Sequence, residues 1–485
     1  MTTRFIRVPV RLSFYFGALI GILLDASGRC TEVERPNIVL ILADDMGYGD
    51  VSSNNPNGKI QTLNIDRLAR EGVRFTDAHS GGSSCIPSRY ALMTGRFAVR
   101  APMSLASGPL IEEGRMTVPS LLRDHGYMTA MVGKWHLGFD PYLQNPKASV
   151  DYSKPLRGGP VDRGFRSFFG MHASLDLPPY FYIRDQKPVL PPTQEVLAHS
   201  SAEGTEGWND IQGEFWRAGK VAPNFEFDQV TPRFFEEAIE VIQRHKNESE
   251  GKPFFLYLAL PSPHTPWLPQ EQFRGKSGAG LYGDFVMQVD AGVGRVLDAL
   301  DATGVARDTL IVFTSDNGPV WYEKDIDQFG HDAVGGLRGM KFDSWEGGHR
   351  MPFLVRWPDR VGQGRACEQT IAFSDILATL ADMVGLEQLP QGAAEDSISF
   401  LPYLLDSAKP PARRPPIIHD RSTIRDGDWK LILPKQKGKA SRESMVQLYN
   451  LKEDVSEKHN LASQYAEVAS RLEHALSSWF NDAHE

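Results

Sequence analysis

The strongest constraint on this chain is a rhythm. Between Asn37 and about Gly385, short apolar runs rich in β-branched and aromatic residues alternate with segments of helical periodicity. Parallel strands need crossover connections, usually helices, so the alternation predicts an α/β fold: a large, mainly parallel or mixed sheet sandwiched by helices. The candidate strands are Ile38 to Leu42, Met128 to Val132, Phe254 to Leu260 and Leu310 to Thr314. Phe285, Val289, Val293, Val296, Leu297 and Leu300 fall on one face of an intervening helix, and a second helix is expected from Ile371 to about Val384. Two stretches break the rhythm. Pro178 to Val230, rich in Pro, Gly and aromatics, reads as a long excursion over the domain surface, and the Pro- and Arg-rich Lys409 to Pro416 reads as a domain boundary. Beyond it, Ile417 to His419, Trp429 to Leu433 and Val446 to Tyr449 look like short antiparallel strands, followed by a helix from about Ala462 to Phe480. The expected layout is a large α/β domain over 36–408 and a smaller C-terminal α+β domain over 409–485, with a short antiparallel sheet and a terminal helix. A chain of 485 residues that is 41% apolar can fill both cores.

The first thirty residues differ. Arg4, Arg7 and Arg11 precede an apolar run from Leu12 to Leu24 and then Ala26, Ser27 and Gly28, the order of a secretory signal peptide over 1–28. An uncleaved anchor is the alternative, but the run is short for a membrane span. Arg29 is a poor lipobox residue before Cys30, and no later segment is apolar enough to span a bilayer. The mature protein is therefore expected to be exported, to a periplasm, a lysosome-like compartment or the exterior, without stable membrane insertion. Three cysteines, Cys30, Cys85 and Cys367, cannot make a disulfide framework and allow one pair at most. If Cys30 and Cys367 pair or stay structural, Cys85 is the odd thiol. A net charge of −9 with scattered Lys and Arg argues against a nucleic-acid partner, so any anionic ligand must be captured by a local cluster.

Each candidate strand is followed by unusual polar groups. Asp44 and Asp45 follow the first, Lys134 and His136 the second, His264 the third, and Asp316 and Asn317 the fourth. In an open parallel sheet the carboxyl ends of the strands share one edge, where ligands bind. Singly, these residues also suit turns and helix caps. Together, three carboxylates and an amide oxygen form a hard ligand set that suits Ca²⁺ or Mg²⁺ better than zinc. Ca²⁺ is preferred because its sites tolerate irregular geometry and an exported protein meets calcium.

Cys85 lies in Ser83-Ser84-Cys85-Ile86-Pro87-Ser88-Arg89, followed by the helical-looking Tyr90 to Arg96. Pro87 suits a first helical turn, which places Cys85 at a helix N-terminus with Arg89 on the same face. Cys-x-Pro-Ser-Arg with Thr94-Gly95-Arg96 resembles the signature of type I sulfatases, the arylsulfatase-like members of the alkaline phosphatase superfamily, in which this cysteine is oxidised to formylglycine. The resemblance extends over Asn37 to Asp50, Gly133-Lys134-Trp135-His136-Leu137-Gly138, Pro263-His264, Ser315-Asp316-Asn317-Gly318, Lys341 before Trp345-Glu346-Gly347-Gly348, and Leu448-Tyr449-Asn450-Leu451. It implies a metal held by Asp44, Asp45, Asp316, Asn317 and modified Cys85, and a sulfate held by Arg89, Lys134, His136, His264 and Lys341. Ser174 aligns with a family serine near the sulfate, with a plain loop residue as the alternative.

On that reading a hydrated formylglycine attacks sulfur. His264 or Lys341 protonates the leaving oxygen, Lys134 holds the diol, and His136 is the base that lets it collapse and expel sulfate. A maturation enzyme that oxidises Cys85 is an implied partner. The substrate is expected to be a sulfated small molecule or glycan, with a galactose- or N-acetylgalactosamine-type sugar the first choice. Tyr180, Phe181, Tyr182, Trp208, Phe215, Trp216 and the exposed-looking Trp267 and Trp321 would offer sugar platforms if they do not simply pack the loops. The rival readings are a phosphonate or phosphate ester hydrolase and, if Cys85 is never oxidised, a non-catalytic binder of sulfated glycans.

Overall fold

The computed structural model describes residues 35–104, 108–140, 150–201, 211–248, 251–406, 414–434 and 445–482, together with Leu143 and a small strand pair at 23–24 and 30–31. Met1–Glu34 forms a unit of its own, in which Leu23–Leu24 pairs antiparallel with Cys30–Thr31. The rest of the expected leader lies outside the described residues, as do Trp208 and most of the 409–416 connector. Arg35–Glu485 forms the second compact unit.

The second unit is organised by a sheet of ten strands. In chain order they are β1 (Asn37–Asp44), β2 (Val73–Phe75), β3 (Met128–Lys134), β4 (Ser167–Met171), β5 (Ile183–Arg184), β6 (Lys187–Pro188), β7 (Phe254–Pro263), β8 (Thr309–Ser315), β9 (Phe353–Arg356) and β10 (Arg365–Cys367). Their order across the sheet is β10-β2-β9-β8-β1-β7-β3-β4-β5-β6. The middle five, β8-β1-β7-β3-β4, are all parallel, and antiparallel partners join on both flanks. The four strands expected from sequence are four of those five. They were readable because a parallel strand covered on both faces has no polar alternation: every residue of β1 and β7 is buried.

Side chains alternate across the sheet, so each strand feeds two layers. Ile38, Leu40, Phe255, Leu310 and Val312 meet helix α6 (Asp375–Met383) on one face. α6 belongs to a group with α2 (Cys85–Thr94) and α3 (Val118–Asp124), whereas α1 (Leu63–Arg70), α4 (Val230–Glu248) and α5 (Gly280–Thr303) pack together as the other group. α5 buries Val289, Val293, Val296, Leu297 and Leu300 as its spacing predicts. The helix expected from Ile371 starts later, because Ile371–Ala372 pairs with Ala78–His79 as a short strand before α6 begins. The surface excursion also needs correction. Its first part is interior: Tyr180, Phe181 and Tyr182 are buried and β5 and β6 extend the sheet.

The C-terminal sheet has four antiparallel strands, β11 (Ile417–Asp420), β12 (Thr423–Asp426), β13 (Trp429–Ile432) and β14 (Gln447–Asn450), backed by α7 (Ala466–Asp482). Ile418, Ile424, Leu431, Leu448, Leu472 and Leu476 form its own core. Polar groups join this sheet to the large one. Arg425 pairs with Asp77 at 2.6 Å, and Lys430, fully buried, lies 3.0 Å from Glu346 and 2.8 Å from Glu457. Between these pairs the His349 and His419 rings stack at 3.8 Å, and neither ring nitrogen of His419 has a partner.

Burial, reinforced by neighbouring cationic groups, holds His349 and His419 well below the usual histidine range, so both are neutral. The unfolded chain binds these protons below about pH 6.5 while the folded chain does not, so their contribution is full above that pH and lost as pH falls. His419→Phe keeps the stacked ring and removes one such group. The variant is expected to lose less melting temperature between pH 7 and pH 5 than the parent. An unchanged pH slope in thermal unfolding contradicts this account.

Candidate active site

The carboxyl ends of β1, β3, β7 and β8 and the start of α2 meet at one edge of the sheet. Asp44 ends β1, and the chain turns at once through Asp45, whose φ of 63° lies in the left-handed region that Asp tolerates better than most residues. The turn is pinned by three bonds: Asp45 N donates to Asp316 Oδ1 at 3.2 Å, Met46 N to Ser315 Oγ at 2.9 Å, and Tyr282 OH to the Asp45 carbonyl at 3.0 Å. Lys134 is delivered by Gly133, at φ 117°, where a Cβ would stand 1.8 Å from the Ala259 carbonyl oxygen on neighbouring β7. No side chain fits there, so only glycine lets β3 end against β7 in this register.

Buried charges alternate through the site. Lys134 Nζ lies 2.5 Å from Asp44 Oδ2. Arg89, one helical turn from Cys85, puts Nη2 2.8 Å from Asp316 Oδ2 and 3.6 Å from Asp44 Oδ2, and donates from Nη1 to the Lys134 carbonyl at 2.9 Å. Lys341 Nζ lies 2.7 Å from Asp45 Oδ1, and His264 Nε2 lies 3.7 Å from Asp45 Oδ2. Cys85 Sγ is 3.6 Å from Asp44 Oδ1. Nine of the eleven residues singled out by sequence are linked in this network, Asn317 joining it through Asp45. His136, beside it on the same strand end, carries a φ of 58° and hydrogen-bonds through its backbone to His172.

Burial opposes ionisation of every group here, and the neighbours decide the outcome. For Asp44 the surrounding cations, Lys134 foremost, win and hold its carboxyl well below the usual range. Asp316 is pushed up to about 6 by burial and by the Asp44 charge. Asp45 keeps Lys341 protonated against its burial, and Asp44 does the same for Lys134. Burial pushes the Cys85 thiol up to about 12, so the encoded side chain is a neutral thiol. His136 is held neutral, well below its usual range, by burial and by Lys134 and Arg89, and its Nδ1 has no partner.

A divalent cation fits these donors. Ligand atoms of Asp44, Asp45, Cys85 and His264 lie within 4.8 Å of one another. Asn317 donates from Nδ2 to Asp45 at 2.6 Å, and its Oδ1 is buried without a partner, a hard oxygen left free beside the carboxylates. Three carboxylates face three permanent cations, so a bound divalent ion leaves the site with net positive charge toward an anion. The second acid and histidine convergence, around Asp77, His79, Glu346, His349 and His419, differs, because Arg425 and Lys430 already occupy it.

Asp45, His264 and Lys341 open onto a cavity of about 140 Å³ that Asp176, Arg217 and Tyr282 also line. Ser174 is buried two residues before Asp176 and is not among the residues lining this cavity. Trp267 and Trp321, which read as exposed, are 3% and 4% exposed: they pack with Tyr282 behind the cavity. The cause is tertiary, since the loops that carry them fold back over α5. Sequence reasoning missed Asp176 and Arg217, which lie in a stretch without periodicity.

The Sulfatase family profile matches residues 36–386. This chain belongs to the sulfatase family. It is 32% identical to N-acetylgalactosamine-6-O-sulfatase of Bacteroides thetaiotaomicron over 92% of this chain and 93% of that protein. It is also 32% identical to bovine (Bos taurus) arylsulfatase A, over 93% and 88% of the two chains. A sulfatase structure from work on the metabolism of multiple glycosaminoglycans by B. thetaiotaomicron superposes with a TM-score of 0.78 at 30% identity, covering 92% of this chain and 99% of the other. The sulfatase is thus a sulfuric ester hydrolase, and its family implies a metal ion and a formylglycine.

Removing Asp316 from the network leaves Arg89 buried with one distant carboxylate. Asp316→Ala is expected to cost about 3–5 kcal/mol of unfolding free energy, as breaking a buried ion pair does. Urea unfolding of the metal-free protein measures it, and a loss under 1 kcal/mol is the contrary result.

Proposed function

We propose that this sulfatase hydrolyses a sulfate monoester on a carbohydrate, using formylglycine made from Cys85 and a calcium ion held by Asp44, Asp45, Asp316 and Asn317. The observation that carries the reading is the position of Cys85: at the first residue of α2, 3.6 Å from Asp44 and bordered by Lys134, Arg89 and Lys341. A thiol kept neutral by burial is a poor nucleophile as encoded, which agrees with a requirement for maturation. Bound at the carboxylates, the cation supplies Lewis acidity, and the hydrated aldehyde derived from Cys85 supplies the attacking hydroxyl. Magnesium suits the same oxygen set less well, because it demands stricter octahedral geometry.

The chain's own residues then divide the work. Arg89, Lys134 and Lys341 neutralise the sulfate in a site shielded from water, where each contact gains strength. His264 Nδ1 lies 2.7 Å from the Thr265 carbonyl, so that nitrogen carries hydrogen and Nε2 faces Asp45 and the cavity. His264 and the protonated Lys341 are the two candidates to deliver a proton to the leaving oxygen. His136, neutral and with a free Nδ1, is the base for the step that releases sulfate. The identity to N-acetylgalactosamine-6-O-sulfatase supports a sulfated amino sugar or galactose-type sugar as the first substrate class to test. The layout of residues 1–28 supports export, and among the described residues no helix is long and apolar enough to cross a membrane.

Cys85→Ala is expected to abolish turnover and Cys85→Ser to leave little, while mass analysis of the Phe75–Arg89 peptide from active enzyme should show aldehyde in place of thiol. Full activity in either variant sinks the mechanism. Chelation should remove activity and Ca²⁺ should restore more of it than Mg²⁺, so activity that survives chelation speaks against the metal. Matched aryl sulfate and aryl phosphate esters separate the phosphoester rival, for which faster phosphate hydrolysis is the decisive result.

A further inference from the structure

The reaction at sulfur leaves one wall of the catalytic cavity unused. Asp176 and Arg217 line it together with Asp45, His264 and Lys341. The two are bound to each other through Arg217 Nη1 and Asp176 Oδ2, and the Asp176 side chain is only 8% exposed. Their backbones are clamped as well. The buried Tyr180 hydroxyl lies 3.0 Å from the Asp176 carbonyl and 2.7 Å from the Arg217 carbonyl, and Arg217 N donates to the Asp176 carbonyl at 3.3 Å. The Arg217 guanidinium stands 5.0 Å over the Phe215 ring. Asp176 Oδ1 is buried and has no hydrogen-bond partner.

We infer that Asp176 and Arg217 read a hydroxyl group on the sulfated alcohol, which makes a polyhydroxylated sugar the preferred substrate over a sterol or a simple phenol. This rests on the sulfatase mechanism proposed above and adds the residues that choose its substrate. A carboxylate oxygen only accepts and a guanidinium only donates. A hydroxyl can donate to the first and accept from the second through a single oxygen. A substrate carboxylate would be repelled by Asp176, an ammonium by Arg217, and an apolar alcohol would leave the buried oxygen unpartnered, which costs more than the bond itself contributes. A site built this way rejects an analogue lacking the hydroxyl far more strongly than an apolar pocket rejects a missing methylene. The clamp through Tyr180 fixes the pair before substrate arrives, so little ordering remains to oppose binding.

The test measures kcat and KM of the matured enzyme on a sulfated monosaccharide, its single-deoxy analogues, an aryl sulfate and a steryl sulfate, with Asp176→Asn and Arg217→Met as variants. In the parent enzyme one deoxy analogue is expected to fall about 10- to 100-fold in kcat/KM. Each variant should lose a similar factor on the intact sugar, mostly through KM, and clearly less on that deoxy analogue. The variants' loss on the sugar should exceed their loss on the aryl sulfate by at least ten-fold. Equal losses on both esters assign the pair to scaffolding and overturn the inference, as does a parent enzyme indifferent to every deoxy change or faster on the steryl sulfate. Turnover of aryl sulfate without any sulfated sugar overturns this inference alone, whereas failure on every sulfate ester overturns the mechanism beneath it.

Discussion

The structure depends on one buried chain of charges: Lys134 to Asp44, Asp44 to Arg89, and Arg89 to Asp316. Its four members come from the ends of β3, β1 and β8 and the second turn of α2. Removing Asp44 takes from Lys134 the carboxylate it pairs with, removing Arg89 does the same to Asp316 by taking its cation, and a charge stranded in the interior costs several kcal/mol. The network therefore fixes where α2 begins relative to the sheet. That position in turn sets where Cys85 stands, since the helix starts on it.

The same network sets the site's electrical balance. Three carboxylates and three permanent cations cancel, which lets them be buried together, and a divalent ion bound there would leave a net positive charge. Strain accumulates beside it and not elsewhere in the central strands. Asp45 and His136 both sit at positive φ, one and two residues after strands, at two points where the chain leaves the sheet. The end of the cavity lined by Asp45 and His264 is thus built from strand ends. The opposite wall, with Asp176 and Arg217, comes from the irregular connection after β4, the kind of segment that can vary while the chemistry stays fixed.

Much of this could be read before the fold was known. The four core strands announced themselves as continuous apolar runs, and the polar residues after each run are ones that the fold brings together at one edge of the sheet. The fifth parallel strand, β4, was not recognised, because Phe168-Phe169-Gly170-Met171 is short and its glycine breaks the pattern; Gly170 is needed there because a Cβ would meet the Gly133 carbonyl at 1.9 Å. Trp267 and Trp321 read as exposed because loop aromatics flanked by proline give no periodicity to show which way they face. Asp176, two residues after Ser174, lines the cavity but carries no motif that marks it in the sequence.

Sequence alone determined the sheet sandwiched by helices and the helix that starts at Cys85, because burial on both faces and the first-turn preferences of helices leave direct traces in residue type and spacing. Only the tertiary structure decided which charges pair, that Asn317 keeps a free oxygen beside Asp45, and that Asp176 and Arg217 face the same cavity. Those facts depend on contacts between residues tens to hundreds of positions apart. Such contacts are set by how strands stack in register and how loops fold back over α5, and no local pattern in the chain encodes them.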